Sequence, residues 1–267
     1  MISNFHTHTH FCDGKNSPEE MVLAAIKAGC PAIGFSGHSN TPFDPGYCMD
    51  YQREADYRRD VLAMKEKYQD QIRVYLGLEQ DYDSPAASGC YEYLIGSVHY
   101  VKKNGVYLSV DDTPEKLKEG VDQLYGGDFY SLCEDYYRRV ADVISMTGCQ
   151  IVGHFDLITK FNEKVPFFAE YHPRYRQAAL EALRSLLQQD AVLEINTGAI
   201  SRNWRREPYP DLFLLEEMGK WGARVILSSD AHRAEDLLFG LEAAKALAED
   251  YHLQVLDLPP LRNQNAM

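Results

Sequence analysis

The 267-residue sequence has no apolar run near the roughly 20 residues needed to cross a bilayer, which argues against a membrane span. Near its start, MISNFHTHTH, there is no basic stretch followed by an apolar core, so no secretory leader is expected. The cysteines at 12, 30, 48, 90, 133 and 149 form no CxxC pair. A disulfide framework is not expected in a chain this long, and six buried or partly buried thiols in a cytoplasmic protein are. Positive charge is scarce: 27 Lys and Arg against 40 Asp and Glu leave a net charge of −13. That excess of negative charge speaks against nucleic acid bound along the general surface, though a local metal cluster can still attract a small phosphorylated substrate. There is also no repeat, low-complexity tract or long linker. With 45% apolar residues the chain is expected to form one domain over 1–267.

What is present is an alternation of short apolar or β-branched runs with longer amphipathic stretches, the pattern of βα units around a parallel sheet. Strands are expected at 2–7, 32–37, 73–79, 93–99, 151–154, 192–197 and 224–229. Helices are expected at 17–29, 51–69, 114–124, 130–147, 173–189, 211–221 and 235–250. The first has its signals in view, with Ser17 as N-cap, Pro18 in the first turn, Glu20 as capping-box partner and Gly29 as stop.

Polar donors gather where these strands end. His6 and His8 lie two apart and face one side of a strand. His38, Glu79, His99, His154, Asn196, and Asp230 with His232 each close a strand or follow it. A (β/α) barrel collects strand ends on one face, whereas an open sheet would spread them along a line. A single histidine at a strand end is ordinarily structural, but six of the nine histidines occupy such places beside three carboxylates, which favours metal. Of the others, His10 is expected to be exposed or to stand behind the ligands, and His172 and His252 to lie at the surface. Nitrogen and oxygen donors without thiolates suit Zn²⁺, Mn²⁺ or Fe²⁺. The nine donors His6, His8, Asp13, His38, Glu79, His99, His154, Asp230 and His232 are too many for one ion and fit three if a carboxylate bridges.

The HxHTxxxDG opening, His38, Glu79-Gln80-Asp81-Tyr82 and the closing Ser228-Ser229-Asp230-Ala231-His232 resemble the PHP (polymerase and histidinol phosphatase) superfamily. The segments Tyr93 to Tyr100, Gly153 to Ile158 and Leu193 to Gly198 are similar to its histidinol-phosphatase branch. The resemblance implies an α/β fold, a distorted (β/α)7 barrel with its active site at the C-terminal ends of the strands and a trinuclear centre. Carried over, His6, His8, Glu79 and Asp230 would hold one ion. Glu79 would bridge to a second held by His99 and His154, and Asp13, His38 and His232 would hold the third. Some members carry His where this chain has Asp13.

The implied reaction is hydrolysis of L-histidinol phosphate to L-histidinol and phosphate, a step of histidine biosynthesis. A hydroxide shared by two ions would attack phosphorus, with Glu79 bridging and Asp230 or His232 near the proton path. Arg202 and Lys160, just beyond the sixth and fifth strands, are the candidate phosphate clamps. Segment 39–58 could cover the site and offer Asp44, Tyr47 or Glu54 to a cationic substrate end. The competing readings are another PHP-type phosphoesterase, including a 3′–5′ exonuclease, and a non-catalytic metal-binding scaffold. Oligomeric state is not legible in the sequence.

Overall fold

The computed structural model describes residues 1–87 and 90–262. The chain runs α1 (Pro18–Lys27), β1 (Ala32–Phe35), α2 (Tyr51–Lys67), β2 (Arg73–Asp81), β3 (Tyr93–Ser97), β4 (Tyr100–Lys103), β5 (Val106–Ser109), α3 (Pro114–Tyr125) and α4 (Phe129–Thr147). It continues with β6 (Ile151–Val152), α5 (Pro173–Gln188), β7 (Val192–Asn196), α6 (Gly198–Ser201), α7 (Leu212–Lys220), β8 (Arg224–Ser228), α8 (Leu241–Asp250) and β9 (Gln254–Val255). Helix α1 carries the expected capping box, Ser17 and Glu20 each accepting the other's backbone N–H. Among the described residues no helix is long and apolar enough to cross a membrane.

Seven strands form one parallel sheet in the order β1-β2-β3-β6-β7-β8-β9. The sheet curls into a distorted barrel, as expected, but its seven strands are not the seven expected. Residues 2–7 form no strand; they touch the sheet through single parallel bridges, Asn4 to Ile33 and Thr7 to Ala231. Side chains interrupt the ladder there. The His6 N–H goes to Asn4 Oδ1 at 3.1 Å and the Thr7 N–H to Ser36 Oγ at 3.2 Å. The segment still spans from β1 to the end of β8, with His8 N–H donating to Ala231 O at 2.8 Å and Gly34 N–H to Asn4 O at 2.8 Å. Histidines 6 and 8 thus close the barrel at its C-terminal rim. The seventh strand is β9, paired with Arg224 and Val225 at the start of β8.

Two further departures have local causes. The expected helix 235–250 begins at Leu241, because Gly240 takes a left-handed φ of 70° after a 3₁₀ turn at Ala234–Asp236. The antiparallel hairpin of β4 and β5 stands outside the expected pattern. Its turn is Asn104-Gly105, both at positive φ (51° and 83°), the pairing that a two-residue hairpin turn requires.

Inside the barrel Phe5, Ala32, Tyr93, Ile95, Ile151, Val192 and Ile226 make a core of their own, and a larger one lies between sheet and helices. Tyr93 is the key side chain of the inner core. Its hydroxyl donates to Phe5 O at 2.6 Å and Phe35 O at 3.1 Å, tying the opening segment to β1. Its ring lies where a side chain on Gly77 would be: a Cβ there would sit 2.3 Å from Tyr93 Cζ. Gly77→Ala is therefore expected to cost about 1–3 kcal/mol and to lower the melting temperature by roughly 2–12 °C. An unchanged melting temperature in calorimetry would show that the ring has room to move.

Candidate metal centre and its cavity

All nine expected donors converge at the C-terminal rim of the sheet, around Glu79. Its Oε2 lies 2.9 Å from His38 Nδ1, 3.2 Å from His6 Nε2 and 3.5 Å from His8 Nε2. Its Oε1 lies 2.9 Å from His154 Nε2 and 3.4 Å from His99 Nε2. Asp230 Oδ1 stands 3.2 Å from His8 Nε2 and 3.6 Å from His6 Nε2, and Asp13 Oδ2 stands 3.1 Å from His232 Nε2. Asp230 reaches this place from a left-handed backbone, φ 48°, an uncommon conformation that Asp tolerates better than most residues. The donors fall into overlapping groups able to hold an ion: His6-His8-Asp230, His6-Glu79-His154, His38-Glu79-His99 and His8-Asp13-His38-His232.

The side chains fit divalent ions. His6 Nε2, His8 Nε2, Asp13 Oδ1 and Glu79 Oε2 are buried without a hydrogen-bond partner, an arrangement that costs about 1–3 kcal/mol per atom unless something binds there. Burial opposes the charge on Glu79, yet His38, His6 and His99 hold its carboxyl well below the usual range. Asp230 is held low in the same way against burial, by Arg202 and His6. Burial, His232 and His38 push His8 down to about 3. His99 rises to about 9, because Glu79 and Asp81 outweigh its burial. Carboxylates that their neighbours hold toward the charged form, among imidazoles, are a donor set for a cation.

A second layer of acids orients these donors. Glu194 accepts the Nδ1–H of His6 at 2.7 Å, and Asp81 that of His99 at 3.1 Å. Neither was among the expected site residues, although each lies two positions from a residue that was considered, Asn196 and Glu79, on the same strand face. Asn196 is a support: it donates to Glu194 at 3.1 Å and accepts from Gly198 N–H at 2.8 Å. His10 and His252 are exposed, and His172 caps α5. No disulfide joins the cysteines, and Cys90, expected to be at least partly buried, is exposed in the connection between β2 and β3.

Seven of the donors, all but His6 and His8, open onto a cavity of about 380 Å³ that also holds Arg202, Lys160, Asp44, Tyr47 and Tyr100. Arg202 donates to Asp230 Oδ2 at 2.9 Å and Asp230 O at 3.1 Å. Only glycine fits beside that pair, since a Cβ on Gly198 would lie 2.8 Å from both Arg202 Nη2 and Asp230 Cβ. Lys160 Nζ donates to Asp111 O at 2.7 Å and Oδ2 at 3.2 Å. Asp111, in the loop after the hairpin, also lines the cavity and was not expected. Asp44 accepts from Tyr100 at 2.8 Å on the cavity wall. Glu54 does not belong there: it is buried on α2, accepting from Tyr91 at 2.7 Å.

Residues 4–198 match the PHP domain family. A probable histidinol-phosphatase of Deinococcus radiodurans is 29% identical over 93% of this chain and 92% of its own. The histidinol-phosphatase of Bacillus subtilis is 26% identical over 89% and 96%. In fold, the chain is similar to histidinol phosphate phosphatase from Lactococcus lactis, solved with zinc, L-histidinol and phosphate: TM-score 0.72, 20% identity, 98% of this chain and 99% of that one. With the family model matched over residues 4–198, most of the sequence, the chain belongs to the PHP domain family.

Proposed function

We propose that this protein is a metal-dependent phosphomonoesterase that hydrolyses L-histidinol phosphate to L-histidinol and phosphate. The observation that carries this reading is a cluster of nine metal-type donors, seven of which open with two cations, Arg202 and Lys160, onto one cavity. The names of the relatives above support the choice of ester.

Three ions would be held, the first by His6, His8, Glu79 and Asp230, the second by Glu79, His99 and His154, the third by Asp13, His38 and His232. Divalent ions in such a centre supply Lewis acidity toward phosphoryl oxygens and a nucleophile at neutral pH by lowering the pKa of water. The chain's own residues do the rest. Arg202 and Lys160 bind the phosphate, and Asp230 and Asp111 hold the two cations in place. Asp230 and His232 stand on the proton path to the leaving oxygen; His232, with a side chain 22% exposed, connects it to solvent. Tyr47, Tyr100 and Asp44 form the wall against which the cationic end of the alcohol rests.

The deciding experiment is steady-state kinetics on a panel of phosphomonoesters beside a single-stranded oligonucleotide, after reconstitution with Mn²⁺, Fe²⁺ and Zn²⁺. Histidinol phosphate is expected to lead the panel. Preference for the oligonucleotide would identify an exonuclease, and no turnover with metal bound would identify a scaffold. Arg202→Ala is expected to lower kcat/KM by about 10- to 100-fold, the worth of one charge-assisted hydrogen bond. That loss should be equal on histidinol phosphate and a simple aryl phosphate, because the phosphate is common to both. A loss confined to histidinol phosphate would move Arg202 to the alcohol end.

A further inference from the structure

Glu194 lies in β7 with no exposure to solvent, and both of its oxygens are used. Oε1 accepts the His6 Nδ1–H at 2.7 Å; because a carboxylate only accepts, the ring nitrogen must be the donor. Oε2 accepts the backbone N–H of His154 at 3.1 Å, and Asn196 Nδ2 steadies the same oxygen at 3.1 Å. The two histidines come from different parts of the sheet, His6 from the segment closing β1 onto β8 and His154 from just beyond β6, the middle strand of the order. In the three-ion reading proposed above, on which this inference rests, they serve neighbouring ions.

We propose that Glu194 is a positioning residue that couples the loading of those two metal positions. Its bond to His6 fixes the tautomer that leaves Nε2 as the donor facing Glu79 and Asp230. Its bond to His154 fixes the backbone that delivers Nε2 of that residue to the other oxygen of Glu79. An ion that orders His6 therefore orders Glu194, and Glu194 orders His154. The second ion meets a site whose ordering cost has already been met, which is positive cooperativity without a change of fold. Gln cannot do this: its amide offers one acceptor, so the oxygen that serves His6 leaves an N–H₂ facing the N–H of His154. Asp keeps the charge but is one methylene too short to span both partners.

The test is titration of the metal-free protein with Co²⁺, counting bound ions by native mass spectrometry and following coordination by visible absorption. In the wild type the one-ion species should remain scarce throughout the titration. In Glu194→Gln it should accumulate, with the next ion bound about 10- to 100-fold more weakly, as expected for loss of an outer-layer partner. Glu194→Asp should show the same accumulation and serves alone if the Gln variant does not fold. Identical loading in the wild type and the variants, or a one-ion species at its statistical share in the wild type, overturns the role of Glu194. Failure of the wild type to bind Co²⁺ at all would instead overturn the metal-centre reading.

Discussion

Glu79→Gln should leave a folded barrel that has lost metal and about a thousandfold in kcat/KM on histidinol phosphate. Five histidines, His6, His8, His38, His99 and His154, stand within 3.5 Å of its two oxygens, so the carboxylate is the hub of the donor set. Gln keeps the shape but removes the charge and replaces one acceptor by an N–H₂ group aimed at imidazole nitrogens. In the proposed arrangement this carboxylate would serve two ions, and an amide would replace it at neither. The several kcal/mol that metal contributes to a phosphoryl transition state, at about 1.4 kcal/mol per tenfold, give the size of the loss. Ser97→Ala is the control: Ser97 Oγ donates to Glu79 Oε1 at 2.6 Å, and its removal deprives the hub of one hydrogen bond without touching its charge. That variant should keep its metal and most of its rate. Metal content by elemental analysis and steady-state kinetics together decide the matter. Full turnover in Glu79→Gln would sink the shared-ion arrangement.

The donors were legible before the fold because strand periodicity and strand ends are both written in sequence. His6 and His8 at i and i+2, and a polar residue closing each apolar run, need a barrel to make sense of them. The layer behind the donors was less legible. Glu194 and Asp81 share strand faces with Asn196 and Glu79, but a strand acid with no visible partner reads equally well as exposed until His6 and His99 are seen beside it. Asp111 was out of reach for another reason. It meets Lys160 where the Asn104-Gly105 turn folds a hairpin between β3 and α3, and that long-range pairing is not written in strand periodicity. Residues 2–7 show the opposite failure. Their alternation suits a strand, but Asn4 and Ser36 side chains take the N–H groups that a ladder would have used.

Chelation should abolish activity and, in the same sample, lower the melting temperature. Addition of Mn²⁺, Fe²⁺ or Zn²⁺ should restore both. An ion present at a hundred times its dissociation constant stabilises the fold by about 2.7 kcal/mol, roughly 5–11 °C in a chain of this size, and each further ion would add to that. The effect should depend on pH in a direction set by His99. In the metal-free protein Glu79 and Asp81 overcome burial and raise its pKa to about 9, above the ordinary 6.5. A raised folded-state pKa means stabilisation fully present below the unfolded value and lost as pH rises through the folded one. The metal-free protein should therefore lose stability between pH 7 and 10. Ion binding must displace that proton, so metal affinity rises over the same interval. The gap in melting temperature between loaded and chelated protein should widen from pH 6 to pH 9. A gap that stays constant would mean that the ions are held by groups other than these histidines, and a melting temperature indifferent to chelation would mean that they are not held at this rim at all.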